Sequence, residues 1–176
     1  MLIVGACFLA GCAAAADNAA LEYKVKAGYL FNFAKFVEWP QSSFTNASAP
    51  LVVGLVGDDP FGQMLDEALA GKNVNGRGFV IRHYDPQEDL SSCHVLFVSR
   101  SAKGRAAKIL ETLRERTVLT VGESDGFGQL GGMINFTLMG GQVKIETNPE
   151  AAAGVGLKVS SKLLAASRTV KTESPR

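Results

Sequence analysis

Residues 51–57, LVVGLVG, constrain the fold more than any other stretch of this chain. The run is apolar throughout and of strand length, which suits a strand covered on both faces. Such a strand needs helices above and below it, and the downstream pattern supplies them. Asp58-Asp59-Pro60 offers a helix start, with Asp59 at the N-cap and Pro60 at the first helical position. That helix is expected to run to Ala70 and stop at Gly71. Strands follow at 78–84, 95–99 and 117–121, with a helical turn or loop at 86–90. An amphipathic helix at 103–114 carries Ala106, Ile109, Leu110 and Leu113 on one face. Strands alternating with helices imply crossovers and a parallel sheet.

The pattern changes after residue 132. Strands at 133–138 and 142–146 are separated by Met139-Gly140-Gly141, and a Gly-Gly centre accepts the positive φ of a tight hairpin. The expected fold is therefore α/β: a Rossmann-like sandwich whose mostly parallel sheet ends in an antiparallel hairpin. Short helices are expected near 149–153 and 160–167, and a frayed polar tail at 169–176. Upstream, residues 22–37 place Val25, Tyr29, Phe33 and Phe36 at helical spacing, broadened by Leu30, Phe31 and Ala34. That helix is buried on more than one side or supplies an interface, and Trp39-Pro40 ends it. Residues 41–50 form a polar loop.

The first 16 residues, MLIVGACFLAGCAAAA, carry no charge. The apolar run at 2–9 is far shorter than the roughly 20 residues of a membrane span. The Ala-x-Ala pattern at 14–16 then reads as the end of a signal peptide, although no basic residue precedes the run. Leu9-Ala10-Gly11-Cys12 also resembles a lipobox, in which Cys12 is acylated. Simple secretion and a lipid anchor both stand as readings, beside an apolar cytosolic strand. Removal of a leader leaves about 160 residues, enough for one domain at 17–168. Of the three cysteines only Cys93 certainly remains, so no internal disulfide framework exists. Cys93 reads as a small buried thiol.

Chemistry is sparse. Eighteen basic residues balance seventeen acidic ones, which gives no electrostatic case for nucleic acid. An α/β enzyme places its reactive groups at the carboxyl ends of the strands, where Asp58 and Asp59 mark a candidate ligand crevice. The plainer reading of this pair is a helix cap. No phosphate-binding glycine motif follows the first strand, and the glycine-rich 126–132 segment precedes a strand, which suits a mobile loop. His83 and His94 form no recognised zinc spacing, and Ser99 and Ser101 lack a nucleophile elbow. No metal, cofactor or catalytic group is expected. Asn135 interrupts an apolar strand, and Glu146 and Asn148 end the next, so two readings stand: the three converge on one hairpin as a partner or ligand surface, or Asn135 bonds to neighbouring backbone and Glu146 points to water.

Taken in order, several segments resemble the YfiR-like family: YKVKAGYLFNFAKFVEWP (23–40), VVGLVGDDPFG (52–62), GKNVNGR (71–77), CHVLFVSRS (93–101), VLTVGES (118–124), GGMINF (131–136) and GLKVSSKLL (156–164). The resemblance spans essentially the whole chain after the leader. It implies a periplasmic homodimer that binds the periplasmic part of an inner-membrane diguanylate cyclase and restrains it, lowering cyclic di-GMP and biofilm formation. Family members also stand beside histidine kinases, so a periplasmic small-molecule sensor linked to a kinase is the alternative. By motif position, Ile134, Asn135, Glu146, Asn148 and Ala152 fall in the partner-facing region. The family's best-known member has disulfide-bonded cysteines, which this chain lacks, and Ala152 stands where a larger apolar contact is expected.

Overall fold

A computed structural model describes residues 10–85 and 87–173, with side chains from Asp17 onward. The leader run at 2–9, Cys7, the Cys12 side chain and Pro86 lie outside the described residues. Seven strands form the main sheet in the order β3-β2-β4-β5-β6-β7-β9. Their ranges are β2 Leu51–Val56, β3 Phe79–Tyr84, β4 Val95–Val98, β5 Leu119–Gly122, β6 Ile134–Met139, β7 Gln142–Thr147 and β9 Arg168–Thr169. Every pairing is parallel except β6 with β7, the expected hairpin. Gly140 and Gly141 turn it with φ of 57° and 75°. The mixed α/β fold is therefore the one the sequence pattern implies.

The two faces are covered differently. On one lie α1 (Ala10–Phe36), α2 (Gln63–Leu69), α4 (Pro149–Gly154) and α5 (Ser161–Ala165). They bury Leu30, Phe33, Leu65, Ala152 and Leu163 against Val53, Phe97, Val121 and Phe136. On the other face, α3 (Ala106–Thr112) buries Ala106, Ile109 and Leu110 against Val52, Leu96 and Val98. The central strands β2, β4 and β5 are buried at every residue, as a strand covered on both faces must be.

Several local expectations shift. α1 begins twelve residues before Glu22, and Val37 leaves it to pair with Val159 in a small antiparallel sheet of β1 (Val37–Glu38) and β8 (Lys158–Val159). Val25, placed on the apolar stripe, is 39% exposed, while Lys26 beside it is buried. Asp59 does not cap α2: its Oδ1 accepts from the Phe61 and Gly62 amides at 2.8 and 3.3 Å, and the helix begins at Gln63. The delay lets Phe61 turn into the core, edge-on to Phe97 at 4.9 Å. The helix expected at 103–114 opens instead as a 3₁₀ turn, Arg100–Arg105, before α3. That tighter turn keeps Ser101 in reach of β2's end, with its Oγ accepting from the Asp58 amide at 2.8 Å.

Two segments are tied down that were expected to be loose. In the 126–132 loop, Phe127 is buried and the amides of Leu130 and Gly132 bond to Gly126 O and Phe127 O at 3.0 and 2.9 Å. Of the tail expected to fray, residues 169–173 are laced to the body, and 174–176 lie outside the described residues. Val170 N donates to Thr147 O and Glu173 N to Gln129 O, each at 2.9 Å, because β9 extends the parallel ladder beside β7.

Candidate functional site

The crevice expected at the carboxyl ends of the strands lies where β2's neighbours β3 and β4 lead the chain in opposite directions across the sheet. It is filled by the protein's own side chains. Gly57 has φ of 90°, and a β-carbon there would overlap Ser99 Oγ and lie 2.6 Å from Ser101 Oγ. The two serine hydroxyls bond to each other at 2.9 Å, so the gap between the β2 and β4 ends is closed. Asp58 and Asp59 are exposed at its rim, and Asp59 faces His83 at 3.8 Å. No group of three or more His, Cys, Asp or Glu side chains among the described residues is arranged to hold a metal ion.

Next to the closed gap lies a cluster that the sequence pattern does not reveal. Lys26, 1% exposed, donates to Glu123 Oε2 at 2.7 Å and to Glu22 Oε1. Glu123 follows β5 directly, and its Oε1 accepts from the Arg100 amide at 2.9 Å. The ammonium also sits 4.5 Å from the Tyr23 ring centroid. Burial first, and then the Glu123 charge, push the Tyr23 hydroxyl up to about 12. One lysine thus clamps α1 to the sheet through Glu123, with Glu22 of the same helix as its second carboxylate, and Glu123 in turn fixes the turn after β4. The i,i+4 spacing of Glu22 and Lys26 is visible in sequence. The third member lies 97 residues away, and nothing local announces it.

Of the hairpin residues only Asn135 and Glu146 meet; Ile134 and Ala152 pack into the core on the helix face, Asn148 caps α4, and all five point inward. Ile134, Asn135, Glu146, Asn148 and Ala152 are all less than 5% exposed. Asn135 faces Glu146 across the β6–β7 register, its Nδ2 donating to Glu146 Oε2 at 3.4 Å, while its Oδ1 is buried without a partner. Arg168 of β9, its side chain 71% exposed, donates to Glu146 Oε1. Asn148 caps α4 by accepting from the Ala151 amide at 3.1 Å, and its Nδ2 donates to Gly128 O and Thr172 Oγ1 at 3.2 and 2.9 Å. The surface that these residues support is made by others: Arg168, and at the hairpin tip Leu138 and Met139, 46% and 64% exposed.

The remaining titratable candidates are structural. Cys93 is buried and donates to Leu90 O at 3.1 Å, and burial pushes its thiol up to about 12, which leaves it unreactive. His94 accepts from the Val52 amide through Nδ1 and meets Ser43 O through Nε2, each at 3.1 Å, an arrangement of the neutral ring. Burial holds its pKa below the ordinary histidine value.

The fold is an α/β domain of flavodoxin-like strand order, with the gap beside Gly57 closed by serines and its first helix clamped by a buried ion cluster. The chain belongs to the YfiR/HmsC-like family, whose model matches residues 23–168. The family is regulatory and points to periplasmic control of a diguanylate cyclase. No curated protein matches the chain. No helix among the described residues is long and apolar enough to cross a membrane.

Proposed function

We propose that this protein is exported to the periplasm, binds the periplasmic region of an inner-membrane diguanylate cyclase and holds the enzyme inactive, lowering cyclic di-GMP and biofilm formation. The observation that carries the reading is the family match across 23–168. The leader is removed either after the alanines at 14–16 or just ahead of Cys12, which is then the acylated first residue, and one domain follows to residue 168. The protein works as a homodimer. The partner contact lies at the β6–β7 hairpin and β9. Leu138, Met139 and Arg168 make the contact, while Ile134, Asn135, Glu146, Asn148 and Ala152 set the backbone beneath them.

Restraint of this kind requires differential affinity: the protein must bind the inactive form of its partner more tightly than the active one. Moving a partner from almost wholly active to almost wholly inactive takes a preference of about 10⁴-fold. A crosslinking pull-down from envelope fractions with the exported protein as bait tests the reading. Recovery of a membrane diguanylate cyclase, lost with Leu138→Asp/Met139→Asp, supports it. Cyclic di-GMP should rise on gene deletion, and unchanged levels across growth conditions would count against a cyclase partner.

A further inference from the structure

Strand β3 is the outermost strand on one side of the sheet, with β2 on its inner side and no strand on its outer side among the described residues. Its six residues, FVIRHY, pair with β2 in unbroken register, so no bulge bends it out of the sheet. Val80, Arg82 and His83 are exposed. Outermost strands are a template for pairing with another chain, and proteins blunt them with shortness, proline, lysine, bulges or a covering segment. β9, outermost on the other side, is only two residues long. β3 is long, regular and free of proline and lysine.

The parallel ladder decides which backbone groups of β3 are free. Each residue of a parallel strand turns its N–H and C=O to the same side, and successive residues alternate sides. Leu51 N donates to Gly78 O at 2.9 Å, which sets the phase. Val80, Arg82 and Tyr84 therefore face β2, and Phe79, Ile81 and His83 turn their backbone groups outward. No hydrogen bond among the described residues reaches those outward groups. The neighbours on both sides are already engaged. Val74 and Arg77 bond to each other through N–H and C=O in both directions, and Asp85 N donates to Glu88 Oε2 while Asp85 O accepts from Glu88 N. The open run is thus centred on Ile81.

A run centred on one residue is its own complement. We infer that the outer side of β3 is a dimer interface, on which a second copy of this chain adds its β3 antiparallel about a two-fold axis at Ile81. Phe79 of one copy then stands opposite His83 of the other, and Ile81 opposite Ile81, each pair exchanging both backbone bonds. On the other face of the sheet Val80 stands opposite Arg82, whose aliphatic stem covers it. A register centred on Arg82 instead sets two guanidiniums opposite each other and brings Phe79 to Asp85, whose backbone is engaged. The two seven-stranded sheets become one, and both β6–β7 hairpins stay uncovered toward its far ends. The inference rests on the homodimer of the proposed function and assigns it a surface.

Sedimentation of the exported protein over a range of concentrations should show a dimer. His83→Pro removes an outward N–H, leaves the ladder to β2 intact and changes a side chain that is 61% exposed. It should weaken the dimer about thirtyfold, the loss of two hydrogen bonds across the axis, with the circular dichroism of the parent. Ile81→Lys sets two ammonium groups against each other at the axis and should leave a folded monomer. In Val80→Cys/Arg82→Cys the opposed, non-hydrogen-bonded positions lie within disulfide reach, so oxidation should give a covalent dimer, while Cys93 is buried and takes no part. A dimer that both His83→Pro and Ile81→Lys leave intact overturns the interface and spares the homodimer. A monomeric parent overturns both and leaves β3 to a strand from another protein. Failure of the double cysteine variant to crosslink overturns the register and the proposal with it. The cyclase contact is read separately, by the pull-down.

Discussion

The two edges of the parallel sheet contrast sharply. At the carboxyl edge, where open α/β sheets ordinarily bind ligands, Ser99 and Ser101 close the gap beside Gly57 and Lys26 knits α1 to Glu123. At the amino edge, an open cavity of about 210 Å³ remains between Trp39, Leu51, Val74 and Arg77. The difference teaches that strand order alone does not locate a site. What decides is which edge the chain fills with its own side chains.

The contrast can be broken first at the clamp. Lys26→Ala leaves two carboxylates in a buried pocket without a cation, and should cost about 3–5 kcal/mol of stability in denaturant melts. Lys26→Met with Glu123→Gln should recover part of that loss, and no recovery would mean that packing, rather than charge, holds α1. Gly57→Ala comes next, at about 2 kcal/mol, because the residue is left-handed and the site is already occupied by hydroxyls. Its effect should shrink in a Ser99→Gly/Ser101→Gly background.

A smaller effect belongs to the amino edge. The folded pKa of His94 is depressed by burial, so the folded state binds fewer protons than the unfolded chain there. Stability is therefore present above the ordinary histidine value of 6.5 and falls as acid carries the pH below it toward the folded pKa. Thermal melts should show that fall in the parent protein and a flatter profile in His94→Asn. Smallest of all, Glu150→Gln should leave the melting temperature unchanged, since its pair with Lys171 is exposed on both sides.

Sequence legibility follows the same divide. The central strands could be read because burial on both faces leaves an uninterrupted apolar run, and the hairpin because a Gly-Gly turn marks it. Membership of the family was legible in the ordered segments from 23 to 164, and the match over 23–168 shows it. The sites were harder. Asn135 and Glu146 do meet, while Asn148 is spent on capping α4, and burial hides the pair behind Arg168, whose place beside Glu146 depends on a two-residue strand too short to leave a pattern. Lys26 sat in an apolar stripe that periodicity assigned to Val25, because the partner deciding its side of the helix lies beyond β5. Trp39 looked like a helix stop, and only the loop carrying Phe44 and the turn carrying Arg77 make it a wall.

The distance in sequence between Lys26 and Glu123 also sets an order of events. A chain that emerges amino end first presents α1 long before Glu123 exists. Until then, docking α1 would bury an ammonium whose only nearby counter-charge is Glu22, at a cost the apolar face must offset alone. The helix therefore gains its full hold only when most of the sheet has been delivered. A contact of such sequence separation carries its loop-closure cost before it rewards folding, so the docking of α1 is placed late in the folding of the domain.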